Sequence, residues 1–349
     1  VKKKLMTYAK QMIFLLIGLV ILWLVTRGQN LDQIWFYLKS ANFLWFIPAV
    51  AAGILSHFIR ALRWKILITS LGSRVKTHDV FYAVMTGYSV NLAVPRLGEL
   101  TKCVAITKYY GIPLNRVVGT MVAERIVDVL TLIFLMVFTI AIQWHFVMGF
   151  LQELFFNRIF AFVAENPIVL LLLTLGLILA AFLLLVYIKR KLSDSKPGSF
   201  TFGIKSQMNG FKEGIQSVFL MREKIHFLIL SITIWFLYFL TAYLGFMAID
   251  ATRHLTPMAG ITLLAMGSLG ILAPVPAGIG TYHFITIATL TLLYGVNSEP
   301  ATSYAYLSHL MQVFLILATT GAIWVFRFIR TERQLRQPVR DTSAGDFSG

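Results

Sequence analysis

Asn91-Leu92-Ala93-Val94-Pro95-Arg96-Leu97-Gly98-Glu99 and Pro274-Val275-Pro276-Ala277-Gly278-Ile279-Gly280-Thr281-Tyr282-His283 interrupt a chain that is otherwise mostly apolar. Backbone inside a bilayer must satisfy its own N–H and C=O groups, so broken backbone survives there only when it is buried in protein or lines a cavity. Pro95, Pro274 and Pro276 forbid a continuous helix, while Gly98, Gly278 and Gly280 permit close backbone approach or a positive φ. One such break in each half of the chain is the sequence pattern of a transporter-type site near the membrane midplane.

The rest of the sequence supplies the membrane. Hydrophobic residues make up 58% of the 349 and charged residues only 13%, about half the charged share of an ordinary soluble domain. Apolar stretches long enough to span are read at residues 8–26, 43–68, 117–143, 167–188, 226–249 and 303–328. The two broken stretches, 80–107 and 258–294, lie between them. The expected fold is therefore an all-α polytopic membrane protein with about six spanning helices and two re-entrant hairpins, eight helical segments in all. A net charge of +16 does not indicate nucleic acid, because the basic residues flank apolar segments instead of covering a soluble face. The single Cys103 excludes an internal disulfide and a thiolate metal cluster.

Lys and Arg set the orientation. With the N-terminus inside, the cytoplasmic side receives Lys2 to Lys4, Arg74, Lys76, Lys108, Arg116, the basic segment 189–225 and the arginines from Arg327 onward, while the other side receives Arg27, Lys39, Arg158 and Arg253. Both termini are thus expected to be cytoplasmic, the membrane being read as a plasma (inner) membrane. This bias requires each broken stretch to return to the side it came from. The order then becomes an inverted repeat, half one over residues 43–143 and half two over 226–328, with the hairpin tips approaching from opposite faces. Residues 1–330 form one transmembrane domain in this reading, and 331–349 form a disordered tail. The basic segment is either a solvated loop or a surface for anionic headgroups.

Ionisable residues inside spans are costly and read as functional. Glu124, Arg125 and Asp128 stand in the first turns of one span, within helical reach of one another. Arg60 ends another, either as a structural partner for Glu99 or Asp128 or as a phosphate ligand; Arg63 and Lys65 are explained by snorkelling to headgroups. Arg96, Glu99 and Lys102 follow the first break at spacings of three, and a helix N-terminus with an Arg beside it suits an anionic headgroup. His283 opens the helix after the second break, as a hydrogen-bonded core residue or as a headgroup or proton contact. No metal-binding helix motif, phosphate loop or nucleophile elbow is present, so no metal, cofactor or catalytic residue is assigned.

Four motifs in order, Arg60-x-x-Arg63-Trp64, Pro95-Arg96-Leu97-Gly98-Glu99-Leu100-Thr101-Lys102, Glu124-Arg125-x-x-Asp128 and Pro274-x-Pro276-x-Gly278-x-Gly280, resemble the lysylphosphatidylglycerol synthase transmembrane-domain family. That family includes the flippase half of the multiple peptide resistance factor. The resemblance runs from about Phe43 to Phe328 and implies a helical bundle with re-entrant hairpins that moves an anionic or aminoacylated phospholipid, or a polyprenyl-phosphate-linked lipid, between leaflets. Carried over by residue, Arg96 and Glu99 match the family's first hairpin, Glu124, Arg125 and Asp128 the following helix, and Pro276, Gly278 and Gly280 the second hairpin. Arg60, Arg96 and Arg125 are then expected to contact phosphate, Glu99 and Asp128 to position those cations or exchange a proton, and His283 to contact the headgroup from the outer side. Ala277 stands where a Gly is usual, and His283 where the pattern commonly has Glu. The synthase domain is absent, so no aminoacyl transfer is inherited and no enzyme is expected. Two other readings are a membrane-embedded glycosyl or other group transferase acting on a polyprenyl phosphate, and a scaffold for a lipid-biosynthesis enzyme. The partners expected are a phosphate-bearing lipid and a second copy of the chain or such an enzyme.

Overall fold

The structure, a computed structural model, describes residues 2–144, 221–273 and 275–336. Among the described residues every regular element is helical. Numbering those helices in chain order gives α1 (Lys2–Thr26), α2 (Leu31–Ser40), α3 (Phe46–Thr69), α4 (Thr77–Ala93), α5 (Leu97–Tyr110) and α6 (Leu114–Ile142). They continue as α7 (Lys224–Met247), α8 (Pro257–Leu272), α9 (Thr281–Ala288) and α10 (Ser298–Arg336). The chain is a multi-pass helical membrane protein. Among the described residues five helical stretches are long and apolar enough to cross a bilayer, four of them long helices and the fifth Pro276–Leu293, the second arm of the second broken stretch. A sixth is added if α1 and α2, bent by 97° between Thr26 and Leu31, count as one broken span. Residues such as Ile133, Phe134, Leu228, Ile232, Phe314 and Leu317 stand exposed on these helices, an apolar belt that water would not tolerate but lipid does.

Expectations and structure agree at residues 43–68, 117–143, 226–249 and 303–328, each of which falls on a long apolar helix. The expected span 167–188 and nearly all of the basic segment lie outside the described residues, as does Pro274. The helix α10 runs on to Arg336, past the point where a disordered tail was expected to begin.

Both broken stretches fold as hairpins of two short helices. The first, α4 and α5, has 17 and 14 residues, roughly 25 and 21 Å at 1.5 Å per residue, short of a ~30 Å hydrocarbon core. Its turn is set locally. Pro95 ends α4, Arg96 takes the left-handed conformation at φ 66°, and the Asn91 side chain reaches across to accept the Gly98 N–H at 2.7 Å. A cap normally sits just before its helix; here the preceding helix supplies it. The arms cross where Gly98 meets Gly87, so closely that a Cβ on Gly98 would stand 1.8 Å from the Gly87 carbonyl oxygen. The second hairpin pairs α8 with α9 through the turn Pro276–Gly278, which holds Ala277 at φ 53°. A Cβ on Gly280 would lie 2.1 Å from the Gly18 carbonyl, so α1 rests directly on this turn.

The hairpins enter from opposite faces. At the base of the first, the Tyr110 hydroxyl donates to Asp79 at 2.6 Å, and Arg327 near the C-terminal end of α10 joins the same carboxylate at 3.2 Å. At the base of the second, the Tyr294 hydroxyl lies 2.8 Å from both Thr262 and Gln143, the latter at the C-terminal end of α6, and can donate to either. The packing is also exchanged between halves: α4 lies against α10, and α8 lies against α6, while α3 and α7 pair along the middle. Each half keeps its own core, one around Trp64, Leu67, Val80 and Ile106, the other around Phe246, Leu263, Leu290 and Tyr304. The first arm, α4, touches the Pro276–Gly278 turn, which brings the two breaks into one neighbourhood.

Candidate functional site

All four helices of the first half, α3 to α6, and α7 of the second converge on a buried ionic cluster. Counting at 1.5 Å per residue from the helix ends on the face where the first hairpin enters, Arg60 and Lys102 lie roughly 12–14 Å deep, Glu124 roughly 15 Å and Asp128 roughly 21 Å. The side chains therefore meet well inside the apolar region, where a lone charge is untenable.

Glu124, fully buried on α6, is the hub. One carboxylate oxygen faces the Arg63 guanidinium at 3.2 Å and Arg60 at 3.5 Å, and the other accepts from Lys102 at 2.8 Å. Asp128, one turn on, accepts from Arg63 at 2.7 Å and forms a short contact with Arg60. Arg60 also donates to the Tyr88 hydroxyl at 2.8 Å, and Arg63 to Ser231 of α7 at 3.2 Å. Lys102 lies 4.3 Å over the Trp64 ring, whose indole N–H is tied to Thr120. Buried ions require this density of partners, because their desolvation cost is offset only by paired charges and hydrogen bonds.

A second tier lies nearer the surface. Arg125 is more than a third exposed at its side chain and sits 3.7 Å from Glu99 and 3.9 Å from Asp128. Glu99 accepts from the Asn91 amide at 3.1 Å. Between the arms of the first hairpin and α6 is a small pocket lined by Tyr88, Asn91, Gly98, Glu99, Lys102 and Arg125. Its polar groups come from residues that already brace the turn.

The structure thus brings together Arg60, Glu99, Lys102, Glu124, Arg125 and Asp128, and leaves two candidates apart. Arg96 is exposed at the start of α5 and touches no partner. The α5 N-terminus is also less open than the sequence suggests, since the Gly98 N–H is taken by Asn91 and that of Leu97 by the Val94 carbonyl at 3.3 Å. His283 is 3% exposed on α9 and packs against His309, ring centroids 4.7 Å apart, and against Tyr306 at 5.1 Å. His309 in turn meets the Ala277 carbonyl at 2.9 Å. The Nδ1 of His283 has no hydrogen-bond partner among the described residues.

Arg63 is a correction. It does not snorkel: its side chain is 0% exposed and spans both carboxylates. Its spacing of three from Arg60, which places both on one helix face, was the available signal. Tyr88, Asn91 and Ser231 also belong to the cluster, and uncharged polar residues in apolar helices give only a weak sequence signal for which neighbour they serve.

Two inverted, broken hairpins around a midplane ion cluster define a multi-pass helical membrane protein with an internal polar site. The chain belongs to the family described as lysylphosphatidylglycerol synthase TM region, whose model matches residues 11–319. It is also similar to a UPF0104 membrane protein of Methanocaldococcus jannaschii, 25% identical over 318 residues, which cover 88% of this chain and 91% of the relative. Membership is consistent with a lipid-related function in the membrane.

Proposed function

We propose that the protein is a lipid flippase or transporter that moves a phosphate-bearing lipid between leaflets, the acyl chains staying in the bilayer and the headgroup entering at the pocket of the first hairpin. That pocket has room for about one water molecule in this structure and must widen to admit the headgroup. The observation that carries this reading is the pocket's position: it opens between a re-entrant hairpin and α6, directly on a charged cluster at membrane depth. Arg125 and Lys102 are the cations that line it, and Arg96, unpartnered at the hairpin turn, gathers headgroups at the entrance. Arg60 and Arg63 are already engaged with Asp128 and Glu124, so they hold the floor rigid instead of contacting cargo. The same engagement favours transport over group transfer. Each carboxylate of the cluster is paired with a cation, which leaves none free as a general base. The Lys and Arg distribution supports a plasma-membrane location with both termini cytoplasmic, which puts the first hairpin's base on the cytoplasmic face.

Leaflet exchange of fluorescent anionic lipid in liposomes containing the purified chain tests the reading. Exchange is expected to exceed that of empty liposomes and to fall to their level in Arg125→Gln. Wild-type exchange no faster than that of empty liposomes overturns transport, and an Arg125→Gln protein that inserts normally and moves anionic lipid at the wild-type rate overturns the placing of the headgroup at this pocket.

A further inference from the structure

The charges of the site do not cancel. Arg60, Arg63, Lys102 and Arg125 supply four cations, whereas Glu99, Glu124 and Asp128 supply three carboxylates. The other described carboxylates are engaged elsewhere or face water, Asp79 with Arg327 and Tyr110, Asp250 with Arg253, Glu223 with His226. Remaining polar partners of the cluster are Tyr88, Asn91 and Ser231, which are neutral. Arg96 is left out of the sum because it stands exposed to solvent at the entrance and is screened there. Among the described residues the ion-paired cluster is therefore one positive charge in excess, and the excess sits on the open side, because Glu124 and Asp128 are surrounded on the closed side by Arg60, Arg63 and Lys102. A net charge at this depth is costly until an anion joins it. The excess of one fixes how much charge that anion should carry.

Resting on the transport reading, we infer that the site selects lipids whose headgroup carries a single net negative charge, a phosphodiester without an amine, and discriminates against aminoacylated, cationic lipids and against zwitterionic ones. A phosphodiester headgroup brings the cluster to neutrality. A headgroup whose phosphate is balanced by an ammonium leaves the excess uncompensated, and one bearing an additional ammonium raises it. A phosphate monoester, carrying about −1.5 to −2 charges, overshoots. Arg125 and Glu99 face each other across the mouth of the pocket at 3.7 Å and set the balance. Removing the first charge lowers the sum to zero, and removing the second raises it to two.

The test uses the full chain and four lipids: phosphatidylglycerol, phosphatidylethanolamine, lysyl-phosphatidylglycerol and a polyprenyl monophosphate. In liposome exchange, phosphatidylglycerol is expected to move at least about tenfold faster than the other three, the separation produced by about 1.4 kcal/mol of differential binding. Glu99→Gln should shift the preference to the polyprenyl monophosphate, and Arg125→Gln should shift it to phosphatidylethanolamine. Equal movement of phosphatidylglycerol and lysyl-phosphatidylglycerol, or an unchanged ranking in both variants, overturns the inference while leaving transport standing. Melting of the detergent-solubilised protein with each lipid reads selection without transport, since a ligand that binds the native state raises its melting temperature. A charge-ranked series of shifts without any leaflet exchange supports the charge inference and sinks transport alone; a flat series sinks the charge inference. Stabilisation by soluble glycerophosphoglycerol equal to that by phosphatidylglycerol at the same concentration removes the lipid from the assignment.

Discussion

Glu124→Gln is the substitution on which the account of the cluster stands or falls. The glutamine keeps the shape of the side chain and one acceptor oxygen, but it removes the charge that faces Lys102 at 2.8 Å, Arg63 at 3.2 Å and Arg60 at 3.5 Å. Three buried cations are then left with Asp128 alone, and the new amide presents donors to donors. Removing one partner from a buried pair costs about 3–5 kcal/mol, mostly the penalty for the charge left behind. At about 2–4 °C per kcal/mol, the melting temperature in detergent should fall by roughly 6 °C or more. The control is the double variant Lys102→Met with Glu124→Gln, which takes out a charge of each sign. It should recover about 1 kcal/mol or more relative to the sum of the two single losses, since groups in one ion network couple by about 0.5–3 kcal/mol. A Glu124→Gln protein melting within about 1 °C of wild type, as a solvated surface residue would, refutes the claim that Glu124 is a buried hub.

Gly98→Ala places a methyl 1.8 Å from the Gly87 carbonyl; the first hairpin must open, with a loss of at least about 2 kcal/mol seen as an earlier melt. Ala277 holds φ 53° without being glycine, a conformation that costs an L-residue about 1–2 kcal/mol. Ala277→Gly recovers that cost less the added freedom of the unfolded chain, so a net gain of about 0.5–1 kcal/mol is expected in the same assay. Cysteines introduced at the exposed positions Lys76 and Thr256, at the bases of the two hairpins, should react with a membrane-impermeant thiol reagent from opposite sides of sealed vesicles. Native Cys103 is buried and should stay silent in that experiment. Labelling of both from one side contradicts the inverted arrangement.

How far the sequence carries can be followed in particular residues. The hairpins were legible because Pro95 and the Pro274 to Gly280 run break the helix rule in a setting where breaking it is expensive. Glu124 and Asp128 were legible for a related reason: a carboxylate in lipid announces a partner. Which partner it finds is another matter. Arg60 could be read as a partner for Asp128, which it is, but Arg63 looks like an interfacial anchor in one dimension, and only the convergence of α3 to α7 makes it a wall of a buried site. His283 looked like a second half of that site, yet it lies in a separate aromatic and imidazole pocket behind the second turn. Tertiary distance between two marked positions is not written in their spacing when they belong to different halves.

The exchanged packing of the halves gives those separate pieces a mechanical relation. Because α4 leans on α10 and α8 leans on α6, neither hairpin can shift without displacing the closing helix of the other half. The contacts at the two ends of this arrangement differ in kind. At the cluster, α3, α5 and α6 are locked by ion pairs whose separation would expose charge to an apolar surrounding. Between α4 and α10 the contacts are the partly exposed Asp79–Arg327 ion pair at 3.2 Å, at the base of the first hairpin, and three neutral hydrogen bonds: Ser89–Thr320 at 2.8 Å, Thr320 to the Met85 carbonyl at 3.2 Å, and the Trp324 indole to Thr86 at 3.3 Å. Neutral hydrogen bonds of this kind contribute about 1 kcal/mol each and can be exchanged for others. A rigid-body movement that keeps α3, α4, α5 and α6 together and slides α4 along α10, giving up one partly exposed ion pair and these neutral bonds, therefore costs less than any movement that opens the buried cluster. Both Asp79, which holds Arg327, and the Gly87–Gly98 crossing ride on α4, so the seam with α10 is the place where a headgroup entering the pocket can make its presence felt in the other half.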